Sequence, residues 1–131
     1  MPGLSDYGEA LILNCLLRAT NITAPTTVYL ALFTSDPTDA NDTANEVSDS
    51  AYARQSCAFN APHATEGYSA NTSEVSFPAI VDGTITVGWV GIYDALTGGN
   101  LLYSQSVGSS KELEAGDVAA FGAAGLKVTH T

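Results

Sequence analysis

The chain has 131 residues, with 14 acids against 4 bases, a formal net charge of −10 and only 14% charged residues. Its four bases, Arg18, Arg54, Lys111 and Lys127, are far apart in sequence, so no basic cluster exists to displace counterions from a phosphate backbone or to hold an anionic bilayer, and neither nucleic acid nor membrane is expected as a partner. The length is that of one domain, residues 1–131, able to bury roughly two-thirds of its unfolded surface without a metal or disulfide.

The first element is helical. Ser5 or Asp6 stands as an N-cap, Glu9 is placed to complete a capping box from Asp6, and Leu11, Leu13, Leu16 and Leu17 recur over the following turns, which predicts a helix from about residue 5 to 19. Pro25 and the polar run TNITAPTT end it. The apolar run ALILNCLL is broken by Asn14 and is too short to span a bilayer. The opening MPGLSDYGEALILN has no basic n-region of a secretory signal, so synthesis in a cytoplasm is expected.

From Thr27 onward every segment reads as a strand: TVYLALF (27–33), AYARQSCAFN (51–60), SEVSFPA (73–79), the hairpin VGWVGIYDALTGGNLLYSQSV (87–107), KELEAG (111–116), DVAAF (117–121) and LKVTHT (126–131). Short strands punctuated by Gly, Pro, Asn and Asp predict a mainly β protein, an antiparallel β-sandwich of jelly-roll-like type with one N-terminal helix.

With ALTGG as the hairpin loop, Tyr93 pairs with Leu101, Ile92 with Leu102, Gly91 with Tyr103 and Trp89 with Gln105. One face then carries Trp89, Tyr93, Leu101 and Tyr103, with Tyr103 over the bare backbone of Gly91, and the other carries Val90, Ile92 and Leu102. The run TVYLALF repeats the pattern, with Val28, Leu30 and Leu32 on one side and Tyr29, Ala31 and Phe33 on the other. Two double-sided apolar sheets exceed what one short helix can shield. Protein outside the chain is therefore expected on one face, which makes Trp89, Tyr93, Leu101, Tyr103, Tyr29 and Phe33 the candidate interface residues.

Nothing in the chain spells out catalysis. The acidic stretch TSDPTDANDTANEVSDS (34–50) fails as a calcium loop, because Ala44 and Ser50 stand where glycine and a closing glutamate are needed, and it reads as a solvated surface loop. GYSAN (67–71) is not a nucleophile elbow, and His63 and His130 have neither triad neighbours nor zinc-ligand spacing with Cys15 and Cys57. The two cysteines are expected to be buried and unlinked. Turn and bulge geometry explains TGG (97–99), Gly122 and Gly125 without a phosphate loop, and Arg54 is expected to pair with an acid. No catalytic residue, cofactor or metal is expected, and hence no enzyme.

The segments VYLALFTSDPT, YARQ and GIYDALTGGNLLY, in that order behind a capped helix, resemble a family of small tailed-bacteriophage virion proteins, of the tail fibre, minor structural and head-decoration type. The resemblance runs from about Leu4 to Thr129. It implies a non-enzymatic building block of the virion with a β-sandwich body, whose partners are copies of itself and capsid or tail proteins. It brings no catalytic residues. The length leaves little room for a fibre shaft, so capsid decoration, a cement role, is the first expectation; a small tail fibre or neck protein is the second, and a glycan-binding or glycan-hydrolysing tip the third. A homotrimer is expected by analogy with decoration and fibre proteins on threefold axes.

Overall fold

The run VYLALF becomes β2 (Val28–Phe33), the strand on which both cores of the protein are built, in a computed structural model that describes residues 3–129. The other strands are β1 (Gly3–Leu4), β3 (Gln55–Cys57), β4 (Tyr68–Ala70), β5 (Val75–Ser76), β6 (Ile85–Tyr93), β7 (Leu101–Leu113), β8 (Ala120–Phe121) and β9 (Lys127–Thr129), and α1 (Asp6–Arg18) is the helix. A five-stranded sheet runs in the order β1-β7-β6-β2-β3, and two small ribbons pair β4 with β9 and β5 with β8. All pairings are antiparallel. The expected mainly β, antiparallel architecture with one N-terminal helix is observed.

On β2 and β6 the alternation sorts residues onto two faces, since Leu30 lies opposite Ile92 and Leu32 opposite Val90, while Tyr29, Ala31 and Phe33 face Tyr93, Gly91 and Trp89. The first face carries the main core: Leu30, Leu32, Val90 and Ile92 pack with Cys57, Val75, Phe77 and Ile80, and with Phe121, Leu126 and Val128 from β8, β9 and their connection. Stacked Tyr52 and Phe77 rings, 6.0 Å apart, and an edge contact from Phe77 to Phe121 at 6.4 Å run through it. The second face carries a smaller core of Ala31, Phe33, Tyr93 and Leu101 with Trp89 against it.

The helix keeps its expected limits but not its expected cap. Ser5 is the N-cap, accepting from the Gly8 N–H at 3.0 Å, and Asp6 is already helical; the chain turns out of α1 at Ala19 in the left-handed region, φ 54°. Ser5 is also the anchor, because its N–H donates to the Leu102 carbonyl at 2.9 Å and its hydroxyl donates to the Leu101 carbonyl. A side chain at Gly8 would strike Leu4 and stand 3.2 Å from the Leu102 carbonyl oxygen, so this glycine lets the helix approach β7. Gly8 is the one buried residue of α1. The helix is thus held at its first turn, and Leu13, Leu16 and Leu17 are 56%, 76% and 76% exposed instead of forming core.

The hairpin follows the expected register for one pair and then departs from it. Tyr93 pairs with Leu101, but Ile92 pairs with Tyr103, Gly91 with Ser104, Val90 with Gln105 and Trp89 with Ser106. The irregularity is a bulge that takes up Leu102. One extra residue reverses the side-chain alternation beyond it, so Tyr103 moves to the main core with Leu102, away from Trp89 and Tyr93. Phe33, Tyr93 and Leu101, not Tyr103, close over Gly91. A second irregularity follows between Val87 and Trp89, where Gly108 adopts φ 86°, and it allows β7 to continue to Leu113 instead of ending near residue 107. The expected strand 51–60 shrinks to Gln55–Cys57 because residues 49–54 are committed to side-chain contacts.

Candidate interaction surfaces

The second core is closed by the acidic stretch itself. After β2 the chain loops out and returns so that Glu46 bridges to Phe33, with Thr34 N–H donating to the Asn45 carbonyl at 2.9 Å and Val47 N–H to the Leu32 carbonyl at 3.0 Å. Asn41 Oδ1 accepts the Tyr93 hydroxyl at 2.6 Å, and the Arg54 guanidinium lies 3.7 Å from the Tyr93 ring centroid. Pro37 and Val47 are buried. The stretch is therefore a cover with a solvated outer side, not simply a surface loop.

Arg54 is the hub of that cover and is only 6% exposed. Its Nε and Nη2 donate to the two Glu46 carboxylate oxygens, each at 2.8 Å, and Nη1 donates to the carbonyls of Ala95 at 3.1 Å and Gly98 at 2.8 Å. The expected ion pair is thus present, in the bidentate form that suits a buried guanidinium. Glu46 also accepts the Tyr52 hydroxyl at 2.7 Å, while that hydroxyl accepts the Leu32 N–H at 3.1 Å. Burial pushes the Glu46 carboxyl up, but the Arg54 and Tyr52 hydrogen bonds and the Arg54 charge together hold it below its ordinary value. Burial drives the Tyr52 phenol well up, with Glu46 adding to it, and Tyr93 is pushed up to about 12, burial outweighing the Arg54 charge.

Two further clusters carry no sequence signature. Asp49 accepts the N–H groups of Ala51 at 3.0 Å, Val81 at 3.2 Å and Asp82 at 2.7 Å, and Asp82 answers by accepting Ser50 N–H at 2.6 Å. Although burial raises it, these backbone donors hold the Asp49 carboxyl below its ordinary value. Asn71, 1% exposed, donates to the carbonyls of Ser73 and Gly122 at 2.9 and 3.0 Å and accepts Leu126 N–H at 2.9 Å. It fixes the turn between β8 and β9. Both are polar residues in turn-rich sequence, and only their burial marks them out.

Of the six residues expected at an interface, Phe33, Tyr93 and Leu101 are 0% exposed within this one chain. They have no surface to offer, because the loop over Tyr93 supplies the cover expected from another molecule. Trp89, Tyr29 and Tyr103 are part-buried, and the bulge puts Tyr103 on the face opposite Trp89 and Tyr29. The six therefore do not form one patch. Cys57 is buried and Cys15 only half-buried, both unlinked, so the expectation of two buried thiols holds for Cys57 alone. Helix α1 explains the difference, since only its first turn is seated.

His63 Nδ1 accepts the Glu66 N–H at 3.2 Å in a turn and its ring stacks on Tyr68; Ser69 of GYSAN donates to the Asn60 carbonyl at 2.6 Å. His130 lies outside the described residues. Among the described residues no three His, Cys, Asp or Glu side chains converge as metal ligands, and no helix is long and apolar enough to cross a membrane. A groove of about 560 Å³ opens at the far end of β6 and β7, lined by Val87, Val107, Lys111, Leu113, Val118 and Phe121.

With this architecture in view, the chain matches the family model described as "Podophage GP4 fiber I protein gp80" over residues 3–129. The chain belongs to this family. The match covers all the described secondary structure, from β1 through α1 and both cores to β9. Membership makes the protein a component of a phage virion of the fibre type, in agreement with the resemblance carried by its strand motifs. No curated protein matches this fibre-family chain.

Proposed function

We propose that the protein is a non-enzymatic structural subunit of a phage tail fibre and works through contacts with other virion proteins and copies of itself. The observation that carries this reading is the family match across residues 3–129, which includes every strand and the helix and not one motif alone. The sequence by itself favours capsid decoration on grounds of length; the description of the family as a fibre protein supports the tail-fibre alternative instead. The side-chain chemistry agrees with a structural role, since the buried charges Arg54, Glu46 and Asp49 are consumed in holding loops to the sheet. Tyr29 and Trp89, part-exposed on the outer face, are available for subunit contacts.

Gold-labelled antibody on intact particles, with copy number from a stained gel, tests the location. Label at the tail with on the order of tens of copies supports the fibre reading, whereas label over the head with on the order of hundreds replaces it with capsid decoration. Turnover of host surface glycans by the purified protein, abolished by replacing one pair of carboxylates, would overturn the non-enzymatic part.

A further inference from the structure

The end of α1 and the linker behind it form an arm that stands away from the sheet. Every residue from 16 to 27 is exposed. Within α1, Gly8, Ile12 and Cys15 turn inward, while Leu13 and Leu17, four residues apart, lie one above the other on the opposite side with Leu16 beside them. Ile22, 39% exposed, continues the apolar surface past the helix end. No described residue covers these leucines.

The charge around this stripe is unlike that of the rest of the chain. Of 14 acids, none falls between Ala10 and Ser35. On the helix, Asp6 and Glu9 occupy the first turn and Arg18 the last. We propose that the stripe docks against the same stripe of a second copy, the two α1 helices antiparallel, with Leu13 of each copy against Leu17 of the other. A partner recognised by its positive charge would be drawn to the acids, which the arm lacks. Two chains of charge −10 repel over most of their surfaces and can close together where acids are absent. Antiparallel pairing sets Asp6 and Glu9 of one copy toward the last turn and Arg18 of the other, and opposes the helix dipoles; parallel pairing would bring like charges together at both ends. A twofold contact of this kind is self-complementary, each Leu13–Leu17 pair occurring twice. The inference does not depend on where in the particle the protein sits.

Sedimentation equilibrium of the full chain tests it, with a concentration-dependent dimer expected. Leu16→Gln/Leu17→Gln changes only exposed side chains, so it should keep the wild-type circular dichroism spectrum while weakening the dimer at least tenfold; a second variant, Leu13→Gln, should do the same. In a Cys15→Ser background, a mixture of Leu13→Cys and Leu17→Cys proteins under mild oxidation should cross-link to each other faster than either links to itself. A monomer at all concentrations, a trimer, an oligomer indifferent to both Gln variants, or Leu13→Cys linking chiefly to itself would each overturn the proposal.

Discussion

The Arg54 guanidinium rests 3.7 Å from the centre of the Tyr93 ring while both of its edges are occupied, one by Glu46 and the other by the hairpin carbonyls of Ala95 and Gly98. One side chain therefore joins the acidic loop, the β6–β7 turn and the second core. Removing it would leave the Glu46 carboxylate poorly solvated and without its partner. Arg54→Ala is expected to lower stability by about 3 kcal/mol. Arg54→Lys, which keeps the charge but not the two-pronged geometry, should recover only part of that loss. Urea denaturation midpoints of the three proteins provide the check.

The same network sets an acid limit. Glu46 and Asp49 both have folded-state pKa values below their ordinary ones, so the stabilisation they contribute is complete at neutral pH. It is lost as pH falls below about 4, through the unfolded values and down to the folded ones. Glu46→Gln should be less stable than the parent at pH 7 and should lose less between pH 7 and pH 3. Equal losses in the two proteins would show that Glu46 is not responsible.

At Gly91 a methyl group would stand 3.0 Å from Leu101 Cδ1 and from Phe33 Cε1, and 3.2 Å from Tyr93 Cε1. Overpacking of this sort costs about 1 to 3 kcal/mol. Gly91→Ala should therefore lower the melting temperature and shift the near-ultraviolet tyrosine signal, because Tyr93 must move.

Asn71→Ala deletes three hydrogen bonds of a buried amide and leaves the carbonyls of Ser73 and Gly122 and the N–H of Leu126 without that partner. The expected cost is about 3 kcal/mol. Amide exchange would show the loss locally, with Leu126 and Ala124 exchanging faster before the main sheet does.

The two thiols should react in order. Cys57 is buried, and burial raises its pKa, so it should label with a thiol reagent only after denaturation, whereas half-buried Cys15 should label in the native protein. Mass spectrometry after timed labelling separates them.

Sequence patterns mark where elements lie more clearly than what they touch. The limits of α1 could be read because Ser5 and the Pro25 linker act locally, and the Tyr93–Leu101 pair because the turn chemistry of ALTGG reaches only one residue beyond the loop. Past that point Leu101, Leu102 and Tyr103 are all apolar, so nothing tells which of them is absorbed in a bulge, and the faces of Tyr103 and Trp89 were open to inversion. Leu13, Leu16 and Leu17 show an apolar stripe, but periodicity is silent on whether the stripe meets the same chain. The acidic loop looked like solvent-facing polar sequence because its inward contacts come from Glu46, Asp49 and Asn41, residues equally at home on a surface. Arg54, a lone base in an acidic neighbourhood, was the one visible clue to them.

Ser5 is seated on the carbonyls of Leu101 and Leu102, nearly a hundred positions along the chain. At ribosomal rates of about 5 to 20 residues per second, the helix emerges roughly 5 to 20 s before its seat has been made. During that interval its first turn has no anchor and its leucines face solvent. An arm without acids between Ala10 and Ser35 is then the first part of the nascent chain to meet other molecules, and a long-range contact made late in synthesis decides when it is held in place. Conditions that slow translation should thus lengthen the exposure of this segment more than that of any strand in the main sheet.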